Sequence, residues 1–241
     1  MLVDLHCHTT RSQDSRLSPA DAVTTAREAG LDAVCFTEHD VLWSVEEVRS
    51  LSRELGFPVL AGVEVSTEIG HVLAYGLPEF DLALRSFWLL VEAARECGAA
   101  LVMAHPYRRH FRFEVPSVLT EADVTKALRR RGLSDVLALE SGNGATRPIE
   151  NTLAGDVAGR LGLPTTAGSD AHSTERIGLW ATEVDGEVGD GADLATAIRG
   201  GRVLGRELTA GARRRGRDKD DEEIGDIMKP TGQMSEPTSS P

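Results

Sequence analysis

"DAVCFTEHDVLWSVEEVRSLSRELGFPVLAGVEV", residues 32–65, contains one complete structural repeat. The apolar run through Ala33–Thr37 reads as a short buried strand. Val45, Val48, Leu51 and Leu55 then recur at helical spacing and give a single apolar stripe. Gly56, the residue type favoured just past a helix end, closes the helix, and "PVLAGVEV" reads as a second strand. Working outward, "LVDL", "HVLAYG", "ALVMAH", "VLALE" and "PTTAGS" are further strand candidates, with "RVLG" a weaker eighth. Amphipathic segments lie between them: "PADAVTTAREAG", a long "DLALRSFWLLVEAARECG", "EADVTKALRRRG", "IENTLAGDVAGRLG" and "DLATAIRGG", each ending in glycine. Alternation of this kind predicts a parallel sheet with crossover helices. A (β/α) barrel of seven or eight strands is favoured over an open doubly wound sheet, because no G-x-G-x-x-G loop follows the first strand.

The chain has 241 residues, enough for one substantial core. We expect one barrel domain over residues 1–208 and a flexible charged tail over 209–241, where the composition is too polar to repay the entropy of ordering. The formal net charge is −12. Six Lys/Arg and seven Asp/Glu fall between residues 213 and 241, so nearly all of that charge belongs to the body. An acidic body disfavours a binder of long nucleic acids. No apolar run approaches the roughly 20 residues of a membrane span, and no signal-peptide pattern opens the chain, so the expected location is cytoplasmic with no membrane partner. Cys7, Cys35 and Cys97 are too few and too scattered for a disulfide framework and read as buried thiols.

His6 and His8, one residue apart on a strand, share a face. Of the seven histidines, five stand at or just after the C-terminal end of a predicted strand, and His71 opens one. Barrel enzymes build their sites at those ends. The carboxylates Asp14, Glu64, Glu140 and Asp170 follow the same rule. Nitrogen and oxygen donors without thiolates suit Zn, Mn or Fe, and so many donors exceed the needs of one ion. Two or three divalent ions are expected. Arg108 and Arg109 follow His105 so closely that at least one is expected to reach a bound phosphate, since a guanidinium can grip two phosphate oxygens at once, and Arg176, four residues after His172, is a second candidate. His110 matches no pattern and reads as a loop residue.

"HCHTT", "TEHD", "GVEVS", "MAHP" and "GSDAH" occur in the order and approximate spacing of the PHP family, named for its polymerase and histidinol phosphatase members. The resemblance runs from residue 2 to about residue 185. It implies an α/β fold, a distorted (β/α)7 barrel, and a metal-dependent phosphoesterase with His6, His8, Glu64 and Asp170 around one ion. It further implies that Glu64 bridges to a second ion held by His105 and His71, and that Asp14, His39 and His172 form a third site. Glu140 is either a ligand or a supporting acid. Glu38 stands where the family usually has Asp, and the 41-residue interval from Glu64 to His105 leaves no room for an insertion some nucleotide-cleaving members carry. A water between two ions loses its proton near neutral pH and attacks phosphorus, with His105 or His172 as an acid if the third site is empty. The expected substrate is a small phosphorylated metabolite or nucleotide. The alternatives are an exonuclease on short oligonucleotides, a non-catalytic metal-binding regulatory module, and a metal-dependent hydrolase of C–N bonds.

Overall fold

The computed structural model describes residues 1–208. The tail expected over 209–241 lies outside the described residues. Nine strands form one sheet in the order β7-β6-β5-β4-β3-β2-β1-β8-β9. They are β1 (Leu2–Cys7), β2 (Ala33–His39), β3 (Val59–Thr67), β4 (Gly70–Tyr75), β5 (Ala100–Met103), β6 (Ala138–Asn143), β7 (Thr165–Gly168), β8 (Trp180–Val184) and β9 (Val203–Glu207). Six helices lie between them: α1 (Pro19–Glu28), α2 (Val45–Leu55), α3 (Phe87–Cys97), α4 (Glu121–Ala127), α5 (Pro148–Leu161) and α6 (Gly191–Arg199). Within the sets β1–β3 and β5–β7 the strands pair parallel with one another, as expected.

The sheet curls until β7 meets β1. Cys7 bridges Ala171, Asp170 donates its backbone N–H to the His6 carbonyl at 2.7 Å, and His8 donates to the Ala171 carbonyl at 3.0 Å. Gly168 makes this contact possible, because a Cβ there would stand 2.4 Å from the His6 Cβ. The antiparallel pair β8 and β9, joined through α6, fills the rest of the seam: β8 pairs antiparallel with β1, and Gly205 of β9 packs on the Thr166 carbonyl. The fold is a distorted seven-strand barrel with an added antiparallel strand pair, β8 and β9, connected by α6.

Four expectations need correction. The sheet is not wholly parallel, since β4 runs antiparallel to both β3 and β5. Only Glu68 and Ile69 separate β3 from β4, and a parallel crossover needs about a dozen residues, so a hairpin was forced. β8, "WATEV", was not anticipated; it is a short strand held between β1 and β9, with Glu183 exposed. The long third helix also breaks at Ser86, whose backbone is extended, and Phe87 donates its N–H to Glu68 Oε2 at 2.9 Å. α3 is thereby anchored to the β3–β4 turn. Cys7 and Cys35 are buried, whereas Cys97 is exposed.

The largest apolar cluster joins Val63, Val65 and Val72 to Phe87, Leu90 and Leu153 of α3 and α5. Burying each such side chain is worth about 1.5–3 kcal/mol. A second cluster joins Leu5, Leu60, Leu73, Tyr75 and Val102 to Leu194 and Ile198 of α6. No helix among the described residues is long and apolar enough to cross a membrane.

The loop after β1 is tied to the start of α2. Arg11 lies over the Trp43 ring, 3.8 Å from its centroid, and donates to Glu47 Oε1 at 2.5 Å. Glu47 also accepts from the Ser44 backbone and hydroxyl in a capping box. The Arg11 hydrogen bond, then those from Ser44, hold the Glu47 pKa down at about 2. A depressed carboxyl adds stability above its unfolded pKa, and that stability is lost as pH falls toward about 2. Because the pair is exposed, Glu47→Gln is expected to cost only about 0.5–1 kcal/mol at pH 7. Thermal melts should show a loss of a few degrees at pH 7 that narrows steadily below pH 4.5; a constant gap would contradict it.

Candidate metal centre

The parallel strands bring their C-terminal ends to one mouth. β1 delivers His6 and His8, β2 His39 and β3 Glu64, with His39 directly beside Glu64 in the ladder. His71 comes from the start of β4. Being antiparallel, β4 begins where its neighbours end, which carries His71 to the same mouth opposite Ser66. His105 and Asp170 follow β5 and β7 and adopt positive φ, 28° and 49°. The bends are held from behind: the His105 N–H donates to Glu140 Oε2 at 2.7 Å, and the Asp170 N–H to His6 O. Such strained bends are characteristic of functional sites.

Glu64 is completely buried. Its Oε2 has no hydrogen-bond partner among the described residues, yet three imidazole nitrogens approach it: His6 Nε2 and His8 Nε2 at 3.2 Å, and His39 Nδ1 at 3.1 Å. Its Oε1 faces His71 Nδ1 at 2.8 Å and His105 Nε2 at 2.9 Å. Asp170 Oδ1 lies 3.4 Å from His8 Nε2 and 3.6 Å from His6 Nε2. A polar atom left unpaired in a buried site and ringed by ligand-type donors is what a cation would satisfy. His6, His8, Glu64 and Asp170 converge tightly enough to hold one ion, as do His39, Glu64 and His71, and His8, His39 and His172. Asp14, on the exposed loop after β1, comes within 3.4 Å of His39 Nε2 and 3.2 Å of His172 Nε2. All nine residues expected as ligands thus meet at one mouth.

The electrostatics follow from that crowding. Burial works against charge on Glu64, but His6 and the hydrogen bonds from His105 and His71 outweigh it and hold the carboxyl well below its usual range. Burial likewise disfavours a charged His8, and the bonds to Asp170 and Glu64 override it, raising its pKa to about 9. The carboxylates demand compensating positive charge.

Residues 148–203, which include Asp170 and His172, match the family described as PHP-associated. A structure from Bifidobacterium adolescentis, assigned as a metal-dependent phosphoesterase, superposes with a TM-score of 0.55 at 17% identity, covering 81% of this chain and 95% of that one. The chain shares the barrel fold of that structure. A 5′-3′ exoribonuclease of Haemophilus influenzae is 38% identical over 64 residues, 27% of this chain and 23% of that protein. A 3′,5′-nucleoside bisphosphate phosphatase of Chromobacterium violaceum is 30% identical over 111 residues, 42% of this chain and 39% of that protein. The match therefore spans about a quarter of the first relative and about two fifths of the second.

Behind the donors, the barrel carries a hydrogen-bonded shell whose directions can be read. Glu140 Oε1 meets His6 Nδ1 at 2.8 Å, leaving His6 Nε2 toward the centre, so Glu140 supports His6 from behind. Ser12 Oγ donates its one proton to Glu38 Oε2 at 2.6 Å and can then only accept from His8 Nδ1, 3.3 Å away. His172 Nδ1 faces the Asp170 carbonyl at 3.2 Å. All three rings are set to point a bare Nε2 inward when neutral. Glu38 also takes bonds from Thr9 and Trp43 Nε1, so the Glu that replaces the usual Asp is fully engaged.

Arg108, expected to grip phosphate, is occupied otherwise. It is ion-paired with Asp170 and donates to Asn143 Oδ1 at 2.7 Å and Thr146 Oγ1 at 3.1 Å. It thereby orients Asp170, and only Nη1 is left without a partner among the described residues. Ser12, Asn143 and Arg130 were missed by sequence reasoning. Only Asn143, in "SGNG" at a strand end, carried a usable positional signal. His110 is half-buried between Tyr107 and Phe111.

Ser12→Ala removes the acceptor that fixes the His8 ring. Loss of such a supporting contact typically costs about 10–100-fold in metal affinity. Chelator competition on the loaded protein should show at least a tenfold weaker grip; because Ser12 also donates to the buried Glu38 and accepts from the His39 N–H, the stripped protein should also melt lower, and an unchanged metal affinity would refute the role.

Proposed function

We propose that the chain is a divalent-metal-dependent phosphoesterase acting on a small phosphorylated metabolite or nucleotide. The observation that carries this is Glu64, fully buried and offering one oxygen to His6, His8 and His39 and the other to His71 and His105. A carboxylate with a separate set of imidazoles on each oxygen suits a bridge between two ions. His6, His8, Glu64 and Asp170 would hold one ion; Glu64, His71 and His105 a second; Asp14, His39 and His172 a third. Bound divalent ions would lower the pKa of water and neutralise phosphoryl charge.

The chain's own residues do the rest. Glu140, Ser12 and the Asp170 carbonyl orient His6, His8 and His172. Arg108 holds Asp170 in place. With the third group of donors free, His172 Nε2, beside Asp14, is placed to give a proton to the leaving oxygen. Mn, Fe and Zn all suit this donor set.

The similarity to an exoribonuclease supports a second reading, an exonuclease on short oligonucleotides. The acidic body counts against it. A panel of phosphomonoesters, phosphodiesters and amides assayed with Mn²⁺ separates these readings from C–N hydrolysis and from a non-catalytic module, which would turn over nothing.

Elemental analysis after metal-supplemented expression is expected to give two or three ions per chain; one or fewer would defeat the multinuclear reading. Glu64→Gln keeps size but loses the balancing charge. It should cut kcat at least tenfold, a barrier increase of more than about 1.4 kcal/mol, while circular dichroism stays that of the parent. Retention of more than a tenth of kcat would rule out a bridge.

A further inference from the structure

Three arginines, Arg108, Arg109 and Arg130, line a cavity of about 440 Å³ that opens over His71, His105 and His172. Their charges are not equally engaged. Arg108 is neutralised by Asp170. Arg130, just after α4, has no carboxylate within ion-pairing distance among the described residues. Its Nη2 donates to the Ile69 carbonyl at 2.9 Å and its Nε points at Met103 Sδ at 3.0 Å, neither of which carries charge. Arg109 is exposed, adopts φ of 61°, and makes no hydrogen bond or ion pair among the described residues.

Arg130 is also built into the wall. It lies against the start of β4 at Gly70, where φ is 118° and a Cβ would stand 2.7 Å from its Nη2. Only glycine gives the guanidinium this room. A half-buried cation without a counter-charge is costly unless an anion completes it, and the planar guanidinium matches two phosphate oxygens at once.

We propose that Arg130 and Arg109 form a subsite for a second anionic group of the substrate, a phosphate lying a few bonds from the one to be cleaved. The proposal rests on the phosphoesterase reading and narrows it to doubly phosphorylated substrates. The second phosphate belongs either to a free bisphosphate or to the next link of a short oligonucleotide.

The test is calorimetric binding of two probes to the Mn²⁺-loaded protein, propylphosphonate and propane-1,3-bisphosphonate. Their C–P bonds are not phosphate esters, so binding is read apart from turnover. The bisphosphonate should bind at least tenfold more tightly. Arg130→Gln and Arg109→Gln should each remove at least fivefold of that advantage and change propylphosphonate affinity less than twofold. Equal affinity of the two probes for the parent protein, or equal losses on both probes in the variants, would overturn the proposal. Arg109 is exposed and unbonded, so Arg109→Gln keeps the test decisive even where Arg130→Gln folds poorly. Failure of the phosphoesterase reading would appear elsewhere, as no Mn²⁺-dependent phosphate release from any ester, with the difference between probes intact. Measuring kcat/KM on adenosine 3′,5′-bisphosphate beside a 5′-phosphorylated adenosine dinucleotide identifies the source. A loss in Arg130→Gln on the first substrate means a free bisphosphate, a loss on the second means an oligonucleotide, and a loss on neither overturns the proposal.

Discussion

Glu64 carries a negative charge where no water reaches it, and five imidazoles surround its two oxygens. A buried carboxylate is tolerated only when positive charge or hydrogen-bond donors meet it. That requirement explains why β1, β2, β3, β4 and β5 must end, or begin, at a common height. A one-residue slip of β3 would turn Glu64 to the other face of the sheet. The His39–Glu64 pairing in the ladder and the Ser66–His71 pairing across the hairpin are the two registers that prevent it.

Much of this was legible in the sequence because it depends on local periodicity. The two-residue spacing of His6 and His8, the helical stripe of α2 and the ends of "AGVEV" and "GSDAH" needed no knowledge of distant partners. What escaped depended on distance along the chain. The antiparallel course of β4 could have been inferred from the two-residue gap at Glu68 and Ile69, but its apolar run looked like every other strand. β8 is short and half-exposed, so its pairing with β1, some 180 residues away, left no periodic trace. Arg130 sits in the run Arg129–Arg131, which reads as a solvated helix end. Arg108 was assigned to substrate on its nearness to His105 in sequence, whereas space brings it to Asp170 and Asn143.

The supporting shell divides the donors by how firmly they are held. His6 and His8 are buried and backed by Glu140 and by the Ser12–Glu38 pair. Asp14, His39 and His172 are more exposed, and Asp14 sits on a loop secured mainly through Arg11, Trp43 and Glu47. The inner donors are thus the more deeply buried, and the outer group lies nearer to solvent.

The closure at Gly168 joins the first and the seventh strands through the same residues that bear the donors. Asp170 bonds the His6 backbone while its side chain faces the His6 and His8 rings. An ion shared by these side chains is therefore a clasp across more than 160 residues of chain, fastened at the one seam where the barrel must shut. Ligand binding to the folded state adds about 2.7 kcal/mol when the free ligand is at a hundred times its Kd. Metal supply would then govern how stable the closed barrel is, and a nascent chain could not fasten the clasp until residue 170 had been made.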